Sequence, residues 1–496
     1  MKKLLSLIVF PFLLTGCVLF SRQLPPEITP EQVSAKYTYK NYISHFPQKI
    51  SAAPCLGESQ LLVIPVWFND SSNYILESKR DVIKSDIETA YFGTSNDTGW
   101  ESVSSFYKKD SFNNLTIEGM VSDWFECDRP STMYYQDTTN QTTQLVEDAV
   151  TWFKTNNSDV DPKDFDKDGD GYLDGVVLIY AAPNYQSLGN KKAENLWAYC
   201  YWTGLNSNSN NPTVSAYFWA SYDFMYNQTT ALARTGKTNY GFGTCEHGVI
   251  FDTHTYIHEM GHLFGLEDYY DYAEDDPCVP SGGFSMQDYN VGGHDPFSRF
   301  SLGWVKAYVP KEASTFTLKP VETSGEIVIL SNDFDGSPFD EYIILELYSP
   351  QGLNALDSNY RYGKYPQGPR SMGVRIWHVD ARLIDTKSSY VVTNITNSSY
   401  ITANTNTTSG ERVKDYLKGG PYYLNHLIRN SSKTKYKCAD FLSDSDLFKS
   451  GDTFSLSKFS KQFKKEKMLN NGKSFDWSVS INSIDAEGAS ISCYLD

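Results

Sequence analysis

The 496-residue sequence predicts two regions in series: an α+β unit with a mixed sheet over residues 59–309, then an all-β sandwich or jelly-roll over 310–496. Three observations carry this. Strand-like and helix-like apolar periods alternate between Leu61 and Ala182. Beyond about residue 310 only short strand-like runs remain, with turn signals between them. Between the two textures lies a helical stretch, 252–271, holding His258-Glu259-Met260-Gly261-His262.

In chain order, Met1-Lys2-Lys3 followed by the mostly apolar Leu4–Leu14 reads as an export signal. Leu14-Thr15-Gly16-Cys17 resembles a bacterial lipobox, which implies removal of residues 1–16 and acylation of Cys17. Two or three acyl chains anchor stably where one does not. The expected location is the cell envelope, held to the membrane by the N-terminal lipid on the periplasmic or outer side, or release outside the cell. No later apolar run reaches bilayer length; Leu61–Phe68 is far too short. Residues 17–58 lack periodicity and read as a tether or short pro-segment.

Leu61–Phe68 predicts a buried strand ending at the turn Asn69–Ser72. Helices follow at Arg80–Phe92 and Trp100–Lys109, then a strand at Leu115–Asp123. Thr143–Thr155 is helical, with Leu145, Val146, Ala149, Val150 and Phe153 on one face. Asp166-x-Asp168-x-Asp170-Gly171-Tyr172-x-Asp174 then runs into the strand Val176–Ala182. Oxygen ligands at alternate positions, with a glycine at the sharp turn, suit a structural calcium ion; Asp166, Asp168, Asp170, Tyr172 and Asp174 are the candidate ligands. Position twelve is Val177 and not a glutamate, so any site is completed elsewhere, with Asp161 or Asp164 as candidates. The competing reading is a solvated acidic turn. Leu196–Trp202 reads as an edge strand able to pair with an extended peptide, and Leu205–Thr213 as a flexible loop.

The central stretch carries the chemistry. Helical residues four apart lie about 40° apart around the axis, so His258 and His262 point the same way, one turn apart. Such a pair most often holds zinc. Asp252 or Thr253 can cap the helix, and Gly265 can end it in a left-handed turn that returns Asp268 as third ligand. Glu267, Asp271 and Glu274 are acidic rivals for that role, and Asp268 could instead orient a histidine. His254 shares the helical face and reads as a histidine beside the metal, or a merely exposed one, and not as a ligand. Zinc with three protein ligands keeps a position for water, and Glu259 stands beside it as general base. That combination predicts peptide-bond hydrolysis.

Met286, after Gly282-Gly283, is expected to form an apolar floor under the metal or else an ordinary piece of core. Tyr289 is a candidate donor to the reacting carbonyl, with Tyr269 and Tyr270 as alternatives. Strands are expected at Thr315–Leu318, Glu326–Leu330, Glu341–Tyr348, Gly373–Val379 and within Trp477–Tyr494, with a polar loop at Thr393–Gly410. His378 reads as a packed strand histidine.

A formal charge of −17 excludes nucleic acid as a partner, because a phosphate backbone needs a basic footprint. Beyond Cys17 seven cysteines remain, an odd number, in a compartment that permits disulfides. Cys55 is a disulfide partner, a buried thiol or a thiol that blocks the metal.

Together, Ser102–Trp124, the Asp166–Asp174 loop, His258–Asp271, Met286 with Leu302-Gly303-Trp304, and Gly373–Asp380 resemble, in order, the immune inhibitor A family of secreted bacterial zinc metalloendopeptidases. Asp446-Leu447-Phe448 and the closing Ser478–Leu495 strands extend the resemblance over roughly residues 60–496. It implies a zincin-like catalytic domain followed by a β-sandwich, catalytic zinc on His258 and His262, Glu259 as base, and stabilising calcium. The chain departs from many relatives in carrying Glu267 where they have proline. A monomer cleaving extracellular or host proteins is expected. Two other functions share parts of this pattern: a calcium-stabilised adhesin retaining a peptidase fold, and a cell-wall peptide amidase.

Overall fold

Strand Gly57–Phe68 is the axis of the first sheet in the computed structural model, which describes residues 23–38, 52–137, 140–244, 247–272, 279–363, 367–385, 398–400, 404, 423–432, 441–463 and 468–495. The export signal, Cys17, Cys245, Glu274, Cys278, Cys438 and most of the Thr393–Gly410 loop lie outside the described residues. No helix among the described residues is long and apolar enough to cross a membrane.

The architecture is mixed α/β. The first sheet runs in the order Leu115–Val121, Gly57–Phe68, Gly175–Tyr180, Ala216–Ser221, Tyr199–Trp202, with Phe125–Cys127 also paired to the axial strand. All these pairs are parallel except the last, where Tyr199–Trp202 lies antiparallel on Ala216–Ser221 as the edge. Two covered faces explain the unbroken apolar runs. Leu61, Val63, Trp67, Val177 and Ile179 pack with helices Arg80–Phe92 and His254–Leu263, while Leu62, Ile64, Val66, Val176 and Leu178 pack with helix Gln141–Asn156. Pro65 is tolerated mid-strand because one neighbour changes there: pairing with Leu115–Val121 stops at Val63, and pairing with Phe125–Cys127 starts at Val66.

Two elements start later than expected. The second helix spans Val103–Asp110, because the Ser102 and Ser105 side chains cap each other's amides at its start. The edge strand begins at Tyr199, since Leu196 is held in a turn by its amide bond to the Ala193 carbonyl at 2.8 Å.

Beyond residue 305 the described strands form two larger sheets besides the pair Leu383–Asp385 and Ser398–Tyr400. One is mixed and six-stranded, in the order Gln32–Ser34, Lys306–Tyr308, Ile327–Leu330, Glu341–Tyr348, Gly373–Asp380, Asn425–Ile428. The other is four-stranded: Thr453–Phe454, Trp477–Ile484, Ala489–Leu495, Ser314–Leu318. Leu345 and Leu347 face the four-stranded sheet, sharing a core with Val479, Ile481 and Ile491. The alternate residues, Tyr342 and Ile344, belong to the same core as the His254–Leu263 helix. The six-stranded sheet is therefore buried on both faces. Gln32–Ser34, from the segment read as a tether, pairs antiparallel with Lys306–Tyr308.

Candidate active site

The metal-motif helix, His254–Leu263, starts where Asp252 Oδ1 accepts the His254 amide at 3.2 Å. Thr253 occupies the N-cap position without capping by its side chain, because its hydroxyl donates to the Glu101 carbonyl at 2.7 Å. The helix ends near Gly265, whose φ of 101° favours glycine. The Leu266 amide closes onto the Gly261 carbonyl at 3.0 Å, and the chain turns back toward the histidines.

That reversal assembles three ligand atoms. His262 Nδ1 donates to the Leu266 carbonyl and His258 Nδ1 to the Met286 carbonyl, each at 2.8 Å. Carbonyl oxygens only accept, so each ring carries its proton on Nδ1 and leaves Nε2 for a ligand. Both Nε2 atoms face Asp268 Oδ1, at 2.9 Å from His258 and 3.2 Å from His262. The rings stand at 88° with centroids 4.9 Å apart, and the three ligand atoms lie within 4.8 Å of one another. Glu267 and Asp271 do not join this cluster. Two imidazole nitrogens and one carboxylate oxygen, each ring oriented from behind by a carbonyl, fit zinc.

Burial alone would lower His262, but the Asp268 carboxylate outweighs it and raises the imidazole to about 10, so a cation bound between them would displace the proton that Nε2 shares with Asp268. Burial likewise opposes ionisation of Asp268, yet the His262 charge and bonds from both histidines hold it well below the usual carboxylate range. The Tyr272 hydroxyl donates to Asp268 Oδ2. Glu259 is pushed up by burial in spite of both histidines, and its Oε2 is buried without a hydrogen-bond partner. Cys200, on the edge strand, donates its thiol to the Glu259 carbonyl at 3.1 Å, tying that strand to the helix.

A cleft of about 390 Å³ opens over His258 and Glu259, walled by Trp197, Phe224, Phe242, Tyr270, Tyr289 and Tyr362. Tyr289 stacks on Tyr270 at 5.1 Å, and Tyr270 on His258 at 6.1 Å. Tyr269, by contrast, is buried in the core and bonds Ser298 at 2.9 Å. His254 lines the cleft outside the ligand cluster; burial lowers it to about 3, so it is neutral.

Behind the helix lies a polar chain that the sequence did not reveal. Gln287 Nε2 donates to the His258 carbonyl at 3.2 Å, and its Oε1 meets His294 Nε2 at 3.2 Å. His294 Nδ1 donates to Asp110 Oδ2 at 2.6 Å, and Arg299 Nη2 to Asp110 Oδ1 at 2.7 Å. Tyr272, Gln287, His294 and Asp110 carry no local spacing signal, which is why only the fold exposes them. Met286 is fully buried and contributes its carbonyl. Cys55 is buried with its thiol on the Leu302 carbonyl at 3.5 Å, in the core and not at the histidines. His378 bonds Glu341 at 2.8 Å, as a packed strand histidine does.

In the aspartate loop, Asp166, Asp168 and Asp174 bring carboxylate oxygens within 4.8 Å of one another. Asp170 instead accepts the Tyr172 amide at 2.9 Å, and the Tyr172 hydroxyl donates to the Leu205 carbonyl at 3.1 Å. Asp174 accepts the Gln60 and Lys167 amides at 2.8 and 3.0 Å, so it also staples the loop to the axial strand. Asp166 Oδ1 is buried without a partner, which fits a cation completed by main-chain or water oxygens.

No protein-family model matches the chain, and no curated protein matches it. Among solved structures it is similar to catalytically inactive OgpA from Akkermansia muciniphila in complex with an O-glycopeptide, glycodrosocin. The identity is 12% and the TM-score 0.22, covering 68% of this chain and 92% of that one. A likeness at that score carries no argument about fold or activity.

Proposed function

We propose that this protein is a zinc-dependent endopeptidase of the immune inhibitor A type, with His258, His262 and Asp268 as ligands and Glu259 as general base. One observation supports it most: two Nε2 atoms of fixed tautomer and a carboxylate oxygen converge beside Glu259, whose Oε2 has no partner, at the floor of an open cleft. Zinc, when bound, supplies Lewis-acid polarisation of the scissile carbonyl and lowers the pKa of water. Glu259 Oε2 accepts the proton of the attacking water and returns it to the departing amine. Burial raises the affinity of Glu259 for that proton, which suits a group that holds it between the two steps. The Met286 and Leu266 carbonyls fix the two rings through Nδ1, and Tyr272 holds Asp268 from its other oxygen. The Tyr289 hydroxyl is the candidate donor to the carbonyl oxygen of the substrate. Edge strand Tyr199–Trp202 would take an extended peptide by main-chain pairing, which confers little sequence preference.

The accompanying proposals are a calcium ion in the aspartate loop, lipidation of Cys17, and protein or peptide substrates met at the cell envelope. Casein hydrolysis tests the central reading. Glu259→Gln keeps size and removes the base, and is expected to cut kcat by about 10²–10⁴-fold with an unchanged circular dichroism spectrum. Phenanthroline should stop wild-type turnover and added zinc restore it. A Glu259→Gln protein as fast as wild type would overturn the mechanism.

A further inference from the structure

Two carboxyl groups besides Glu259 line the cleft, and only one of them has spare capacity. Asp252 is saturated: it accepts the Thr244 amide at 2.6 Å, the Thr244 hydroxyl at 3.0 Å, the His254 amide at 3.2 Å and the Tyr362 hydroxyl at 3.2 Å. Asp288 is 2% exposed, accepts the Gly283 amide on Oδ2 at 3.1 Å, and leaves Oδ1 buried without a partner. A buried acceptor left unpaired is costly, so its retention in a residue that lines the cleft calls for an incoming donor.

The cleft specifies what that donor is attached to. No lysine or arginine lines it among the described residues, and His254, one of its two histidines, is neutral. Arg429, a cation close enough to be felt by Asp288, donates its Nη2 to the Val279 carbonyl at 2.8 Å. The remaining walls are aromatic: Trp197, Phe224, Phe242, Tyr270, Tyr289 and Tyr362. Aromatic faces receive an aliphatic stem and stack on a guanidinium, and a buried carboxylate receives its N–H fork.

We propose that the cleft beside Glu259 is a specificity pocket for a basic side chain of the substrate, arginine above lysine, with Asp288 Oδ1 as the acceptor that selects it. This deepens the peptidase reading and rests on it for the word substrate. Burial lifts the Asp288 carboxyl far above its ordinary range. A cation seated against it favours the ionised form and supplies the partner that a buried carboxylate needs. The charge of −17 favours encounter with basic peptides.

The test separates binding from turnover. Zinc-loaded Glu259→Gln protein is titrated with acetylated hexa-alanine peptides carrying one arginine or one norleucine at each position in turn, by calorimetry; wild type is assayed for hydrolysis of the same set. At one position arginine should bind roughly tenfold or more tighter than norleucine. Asp288→Asn should collapse that ratio to near one, with folding checked by its melting curve. If Asp288→Asn does not fold, the arginine-to-norleucine and lysine-to-norleucine ratios of the Glu259→Gln protein decide alone. Norleucine binding as well as arginine at every position overturns the basic pocket, whether or not hydrolysis occurs. Arginine selected in binding while wild type hydrolyses nothing would uphold the pocket and sink the peptidase reading instead.

Discussion

Replacing Asp110 by asparagine removes one negative charge from the interior and almost nothing else. Its carboxylate accepts Arg299 Nε at 3.1 Å, Arg299 Nη2 at 2.7 Å and His294 Nδ1 at 2.6 Å. The Arg299 side chain is 1% exposed and those of Asp110 and His294 are 0%. Stripping one partner from a buried ion pair costs about 3–5 kcal/mol. Asparagine keeps an acceptor, worth roughly 1 kcal/mol, and Glu322 still faces Arg299 at 3.4 Å. The expected loss is therefore about 2–4 kcal/mol, measured by urea unfolding followed through tryptophan fluorescence at pH 7. The exposed pair Lys36–Asp335 is the control, and Asp335→Asn should change nothing measurable. Burial works against ionisation of Asp110, but Arg299 and His294 prevail and depress its pKa. Its contribution is thus complete above the unfolded value of about 4 and is lost as pH falls through the folded value. The gap between wild type and Asp110→Asn should accordingly narrow in acid. A variant within about 1 kcal/mol of wild type at pH 7 would show that Asp110 is not what neutralises Arg299.

Asp268→Asn should lower zinc affinity by roughly tenfold or more, read as zinc retained through dialysis; undiminished retention would remove Asp268 from the ligand set. A Cβ on Gly261 would strike the Gln287 amide that braces the His258 carbonyl. Gly261→Ala should cost about 1–3 kcal/mol of stability, and a neutral result would mean Gln287 moves aside freely. Calcium should raise the melting temperature, and Asp166→Asn with Asp168→Asn should abolish that rise while Asp170→Asn leaves most of it. Equal losses from the three single changes would contradict the observed trio.

What could be read from the sequence was what depends on near neighbours. His258 and His262 share a face because four residues make about one turn, and Asp268 follows because Gly265 can reverse the chain within a few residues. The axial strand was legible since both of its faces are covered, which leaves an unbroken apolar run. The bracing chain was not: Asp110 and His294 are 184 residues apart, and each alone looks like a surface polar residue. Tyr272 is one of 35 tyrosines, and nothing in its spacing marks it as the partner of Asp268. In the aspartate loop, the Asp170 side chain accepts an amide of its own turn, a contact that the alternation of aspartates does not announce. The spare oxygen of Asp288 was equally hidden, since whether a carboxylate is saturated depends on amides brought from elsewhere.

The doubly covered strand Glu341–Tyr348 carries a consequence for anyone who would trim this molecule. Cutting the chain near residue 310 to isolate the half bearing the histidines would strip Tyr342, Ile344 and Trp377 from the core that the histidine helix shares. The amputated piece would meet water with a greasy flank and clump. Proteolytic shedding of the later strands would thus extinguish the molecule instead of liberating it, and a chimera must carry both halves or rebuild the seam.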